Sequence, residues 1–450
     1  MLEEKRESIT IIGSGLAGSF LAVLLAKKGF DVTIYERLSK EDLRSTGTKR
    51  SYNIVLFGYG IEILKQTGLW EKIKPHLLAL KGSVTHISPK ISPVITRTDD
   101  KKLPYFTISR ALLADILLSH ASHYSSVKVI YDTDFLSVDR HKKVMIVRNN
   151  RTKKITTVSC NILIGADGAN SLVRSFIQRE QQTRHRQEYA KWQYKQFILS
   201  AGTVKKLGLE KKFVHIWTQK KAFVIAHPDR DDSLTAMLVF PKNNQEKVQL
   251  NSDDAIIEFI KENFPELVPA LKEIIESVRI NPDGNFATIQ TDPWHYKGFM
   301  AIIGDAAHGF YPFFGQGTSA AFGDCVTLSQ LIDTCGADWN KIFSLYQAER
   351  KKHTDALGEL SKDSLLKNLR YKKADYDAIY DRLQTAAYRL FPNIVYPPLS
   401  MTITSDPANA ADHKLKYYKQ RNFANKFGAS LLVLALTKIL SLYEEINNQK

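Results

Sequence analysis

An apolar run, SITIIG, enters the glycine-rich turn GSGLAG at Gly13 to Gly18, and the turn opens directly into the helical pattern SFLAVLLAKKG. Few folds accept that order. The sharp turn needs Gly13, Gly15 lets the backbone approach a pyrophosphate, and Gly18 lets helix and strand pack closely. The free amides and partial positive charge at the helix start then favour phosphate. Gly29 stops the helix, and DVTIYE follows as a second strand ending at Glu36. A carboxylate there is placed to accept both ribose hydroxyls and would repel a 2′-phosphate. The expected resident ligand is therefore FAD or NAD, not NADP.

Two later segments narrow the choice. In GDAAHGFYPFFGQG, Gly304 to Gly317, an Asp at a strand end, Asp305, is placed to hydrogen-bond the ribitol chain that only FAD carries. Gly315 and Gly317 open a further helix whose amides can face the flavin pyrimidine and stabilise negative charge there. Pro312 and Phe313 precede that helix, where they would wall the flavin ring. His308 is read as a turn histidine hydrogen-bonded to backbone. In IGADGANSLVR, Asp167 and Gly168 close a strand against the cofactor, and Arg174 is placed to stabilise the segment. There is one GxGxxG only, so a nicotinamide reductant, NADH or NADPH, is expected to bind transiently.

With 450 residues, 44% hydrophobic and 24% charged, the chain suits a globular protein of two lobes sharing one ligand. The net charge of +16 is spread along the chain as lysine, so nucleic acid is not an expected partner. Three cysteines without CxxC or Cys/His spacing imply no metal and a reducing compartment. The charged start MLEEKRES lacks a signal-peptide core, so the expected location is cytoplasmic. The fold expected is α/β: a Rossmann-like FAD-binding lobe from 1–80, 107–177 and 286–375, an inserted mixed or antiparallel sheet lobe from 81–106 and 178–285, and a C-terminal helical segment at 376–450.

In detail, GIEILKQTGLW reads as one helix, and VKVIYDTDFLSVD with KKVMIVRN as a small antiparallel sheet. FVHIWT, KAFVIAH and SLTAMLVFP alternate as strands of the second lobe. FPNIVYPPLSMTITSDP reads as a pause between helices. The apolar stretch 427–443 is short for a span and reads as a packed or membrane-surface helix, leaving peripheral membrane contact open.

The three motifs, with KRSYNIVL, YFTISRALL and the HIW at His215 to Trp217, resemble flavoprotein monooxygenases of the para-hydroxybenzoate hydroxylase type, and within them kynurenine 3-monooxygenases. The resemblance covers most of the chain. It implies FAD lined by Ala17, Glu36, Arg37, Val55, Arg110, Leu136, Asp167, Asp305, Thr318 and Ser319, with Arg110 facing the pyrophosphate. It implies a small aromatic substrate, O2 and NAD(P)H as partners, and ring hydroxylation through a flavin C4a-hydroperoxide in a dry pocket. Phe313, Phe314 and Trp217 could supply that dryness; Trp217 reads equally well as core.

Departures from the pattern point to an altered substrate. Thr318-Ser319 replace Met-Asn after GQG. Where kynurenine hydroxylases place a carboxylate-binding arginine, this chain has Ser83; Thr98 stands for their tyrosine, Ser364 for their asparagine and Lys367 for a glutamate. Lys81, Arg97 or Lys367 could restore positive charge. The alternative is a flavin-binding protein that sequesters an aromatic intermediate without hydroxylating it. A flavin halogenase would carry a WxWxIP segment, which is missing.

Overall fold

A computed structural model describes residues 7–43, 53–87, 92–97, 105–219, 222–242, 250–369 and 376–423. Its centre is a six-stranded sheet around Ser8–Ile12, which pairs in parallel with Asp31–Tyr35 on one side and Ile162–Gly165 on the other. Val127–Ile130 and Met300–Ile302 extend it in parallel, and His295–Tyr296 closes one edge antiparallel. The helix Leu16–Lys27 is apolar nearly all round because it is enclosed nearly all round. It packs between the helices Arg110–Ala121 and Gly317–Cys335, with Phe20 and Phe322 ring centroids 4.5 Å apart.

The second layer is an eight-stranded sheet. It runs from His308–Gly309 through Gly284–Asp292, Arg184–Leu199, Leu234–Pro241, Phe223–Pro228, Phe213–Thr218 and Gly82–His86 to Val94–Arg97. All its pairings are antiparallel except that of Phe213–Thr218 with Gly82–His86. Alternation divides the faces. Val224, Ala226, Ala236, Leu238 and Phe240 pack onto the helices Asp253–Asn263 and Leu271–Ile280. Phe223, Met237 and Val239 point the other way, towards Tyr311 and Phe313. The strand Gly284–Asp292 runs through the boundary expected at 285 and belongs to this sheet.

Several local expectations are corrected. The stretch GIEILKQTGLW is broken: one helix covers Gly58–Gln66, Gly68 takes φ +72°, and a new turn of helix starts at Trp70. VKVI leaves the small sheet for the six-stranded one, because Asp132 turns the chain with φ +53° before Thr133–Asp139. That strand pairs with Val144–Asn149, and Ile155–Ser159 completes a three-stranded sheet. Within the presumed pause lies a short helix, Leu399–Ser405, after the long helix Trp339–Leu369 and the helix Tyr376–Leu390. Among the described residues no helix is long and apolar enough to cross a membrane. The stretch 427–443 lies outside the described residues.

Candidate active site

The glycine turn is built as its spacing demands. Gly13 takes φ +98°, and a Cβ on Gly18 would stand 2.1 Å from the Gly13 carbonyl oxygen, so only glycine fits there. A Cβ on Gly15 would meet nothing within 4 Å, because that backbone faces open space. The helix that starts at Leu16 has no side-chain cap and no acidic residue in its first turn. The same holds for the helix that starts at Gly317. Both present unsatisfied amides to one cavity of about 490 Å³.

That cavity joins the motifs. Gly15, Ala17, Arg110, Gly168 and Asp305 line one end, with the Arg110 Nη2 and Asp305 Oδ2 atoms 3.9 Å apart. Val55, Pro312, Gly315, Gly317 and Thr318 line it as well. The inner face of the eight-stranded sheet also lines it, through Ser83, Phe223, Ile225, His227 and Met237, together with Phe313 and Ser364. Phe313 has its ring centroid 5.5 Å from Phe223 and 5.1 Å from Phe286. Gly315 takes φ +64°, closing the turn Pro312–Phe314 against the Phe57 ring.

Other expected residues stand behind this wall. Glu36 accepts from the Ser14 amide at 2.9 Å, the Ser14 hydroxyl at 2.7 Å and the Leu38 amide at 3.0 Å. Asp167 caps the helix Leu172–Glu180 by accepting from Leu172 N at 2.8 Å, and its Oδ1 is buried without a partner. Burial raises its carboxyl, although the Ser171 hydroxyl and the amides of Val173 and Leu172 oppose the rise. Arg174 donates to Ala306 O at 2.9 Å and Ala169 O at 2.6 Å, stapling two motifs together. Ser319 is fully buried, with its hydroxyl unpartnered beside Gly60. Arg37 is exposed, its carbonyl accepting from Asn150, and Leu136 lies half-buried on the strand Thr133–Asp139; neither reaches the cavity wall. Thr98 and the side chains of Arg97 and Lys367 lie outside the described residues, and Lys81 is exposed.

One residue departs from expectation, and for another the structure decides between two readings. His308 does not bond backbone: its Nε2 meets the buried Asp324 carboxylate at 2.6 Å, while Arg350 Nε donates to the other oxygen at 2.9 Å. Trp217 is core. It is buried, stacked on His86 at 4.6 Å, and donates to Glu266 at 2.9 Å. Gln316, which the motif reading passed over, is buried with both amide atoms unpartnered at the mouth of the Gly317 helix. The uncapped helix starts, the open Gly15 backbone and these orphan polar atoms fit a flavin dinucleotide.

An enclosed groove of this kind, running from a phosphate turn to an aromatic wall, defines an FAD-dependent monooxygenase. Comparison gives the particular family: the model of the FAD binding domain matches residues 6–361, and the chain belongs to that family. The kynurenine 3-monooxygenase of Salinispora tropica is 29% identical over 461 residues, covering 98% of either chain. That of Legionella pneumophila (strain Lens) is 32% identical over 363 residues, covering 79% of each. A tetrameric form of 2-methyl-3-hydroxypyridine-5-carboxylic acid oxygenase superposes with a TM-score of 0.68 at 21% identity over 90% of this chain and 97% of that one, a likeness of fold. The protein is thus an FAD-dependent aromatic hydroxylase that uses NAD(P)H and O2 on a small aromatic substrate, and the non-hydroxylating carrier is not favoured.

Proposed function

We propose that the chain hydroxylates a small electron-rich aromatic related to kynurenine but held by different polar groups. The observation that carries this reading is the single cavity that runs from the glycine turn to the apolar face of the eight-stranded sheet. Bound FAD supplies the redox chemistry and oxygen activation. The protein supplies placement. Gly13, Gly15 and Gly18 shape the turn for the pyrophosphate, and the planar fork of Arg110 suits its oxygens. Asp305 would hold the ribitol and Glu36 the ribose, with Ala17, Val55 and Asp167 packed around them. The amides from Gly317 to Ser319 would stabilise negative charge on the reduced ring. Pro312 and Phe313, which line the cavity, would wall the ring, and with Phe223, Ile225 and Met237 they would exclude water from its reacting face.

Ser83 and Ser364, which the resemblance sets in place of the arginine and asparagine of kynurenine hydroxylases, both line the cavity. Neither serine can pair with a carboxylate as a guanidinium does, which favours a substrate with a different polar handle. The test is NAD(P)H consumption by the FAD-loaded protein with L-kynurenine, then with tryptophan-derived and phenolic aromatics, and mass analysis of products. Coupled formation of a product heavier by one oxygen supports the reading. Failure of every aromatic to stimulate NAD(P)H oxidation in FAD-loaded protein defeats it.

A further inference from the structure

One polar side chain on the substrate wall has no structural employment. Along Phe223–Pro228, Phe223, Ile225 and His227 face the cavity while Val224 and Ala226 enter the core behind. His227 is thus an imidazole at the end of an apolar stripe. Two nearby polar side chains are committed to Asp229 rather than to the ring. Thr235, its cross-strand partner, donates to Asp229 Oδ2 at 2.8 Å. Asn53 Nδ2 donates to Asp229 Oδ1 at 2.7 Å and to Pro228 O at 3.3 Å. Those bonds pin the His227 end of the strand to Asn53–Leu56, the strand that carries the cavity residue Val55. His227 therefore sits at the seam where the substrate wall meets the cofactor lobe. Among the described residues its ring has no hydrogen-bond partner.

His227 is half-buried, and its ring stands on the cavity wall without a protein partner. An apolar side chain there would continue the Phe223–Ile225 stripe and leave no polar atom unmatched once a ligand displaces water. The imidazole is explained if a ligand completes it. Burial pushes His227 down to about 4, so at neutral pH the ring is uncharged and keeps one nitrogen as an acceptor.

We propose that His227 is the substrate-reading residue of this cavity, its imidazole accepting a hydrogen bond from an O–H or N–H group on the substrate's aromatic ring. This rests on the hydroxylase reading and sharpens it to ring-hydroxylated or ring-aminated aromatics. Accepting that hydrogen bond also feeds electron density into the ring, which favours attack by an electrophilic oxygen.

The test uses matched probes on the oxidised holoenzyme: phenol against anisole, and aniline against N,N-dimethylaniline. Binding is read from the perturbation of the flavin visible spectrum. The wild-type protein should prefer each O–H or N–H probe over its alkylated partner by ~10-fold or more in Kd. In His227→Leu, and independently in His227→Met, the preference should fall to within about 3-fold through loss of affinity for phenol and aniline alone. His227→Gln, which keeps an acceptor, should retain part of it. A preference unchanged in a Leu or Met variant of normal FAD content overturns this inference and leaves the hydroxylase reading standing. Equal affinities in the wild type do the same. If no aromatic perturbs the flavin or draws NAD(P)H consumption, both readings fall together.

Discussion

Asp324 is fully enclosed, and burial alone would raise its carboxyl; the His308 ring and the Arg350 guanidinium outweigh that and hold it below the ordinary range. Its Oδ2 also accepts from the Gly304 amide at 3.0 Å, so one charge fixes the turn that presents Asp305 to the cavity. Asp324→Asn leaves Arg350 buried without a counter-charge and should cost about 3–5 kcal/mol, read as a lowered Tm and loss of FAD during purification. Retention of FAD with an unchanged Tm would show that the triad carries no load. None of this was legible in the sequence. Asp324 lies 16 residues from His308 and 26 from Arg350, and no local pattern ties such positions together. The backbone partner expected for His308 gives way to Asp324, because a turn histidine has backbone nearby in sequence and a carboxylate only in space. His227 raised no signal at all: alternation places it on one face with Phe223 and Ile225, but does not say which face meets the cavity.

The strand–turn–helix unit shows the opposite situation, since there every constraint is local. Gly13, Gly15 and Gly18 have distinct roles that substitution should separate. Gly18→Ala drives a Cβ into the Gly13 carbonyl oxygen at 2.1 Å, so it should lower the Tm and the FAD content together. Gly15→Ala meets nothing, so the apoprotein should keep its stability within ~0.5 kcal/mol while FAD affinity falls, measured by flavin fluorescence titration. Equal behaviour of the two variants would contradict this division. Elements whose partners are distant were harder to read. Arg184–Leu199, 16 residues long, pairs with strands on both sides, yet RHRQEYAKWQYKQFIL lacks the apolar alternation that marks a strand. Only Ala190, Phe197 and Leu199 are buried, and charged or amide side chains fill most of the rest. VKVI and TDFLSVD read as one small sheet because the φ +53° turn at Asp132 uses a residue that tolerates it without announcing it.

Across the whole molecule the buried imidazoles set the acid limit. Burial and the neighbouring His215 push His86 down to about 4, so its contact with Glu266 at 3.5 Å involves a neutral ring at pH 7. Burial lowers His215 as well, and His227 also stands at about 4. Unfolded histidines take up protons near pH 6.5, above these folded values, so stability is full above that pH and is lost as pH falls through 4. Between pH 7 and 4.5 the Tm should drop by roughly 5 °C or more, and a flat profile would refute this account. The two sheets were foreseeable from the order of the motifs; how the chain shuttles between them was not. Met300–Ile302 belongs to the six-stranded sheet and His308–Gly309 to the eight-stranded one, so a handful of residues joins cofactor floor to substrate wall. The strand Phe223–Pro228 has a further consequence. Its odd-numbered residues choose the guest and its even-numbered residues hold the house, on opposite sides of one ribbon. A lineage built on this plan can change what it oxidises by single replacements at odd positions and remain folded at every step.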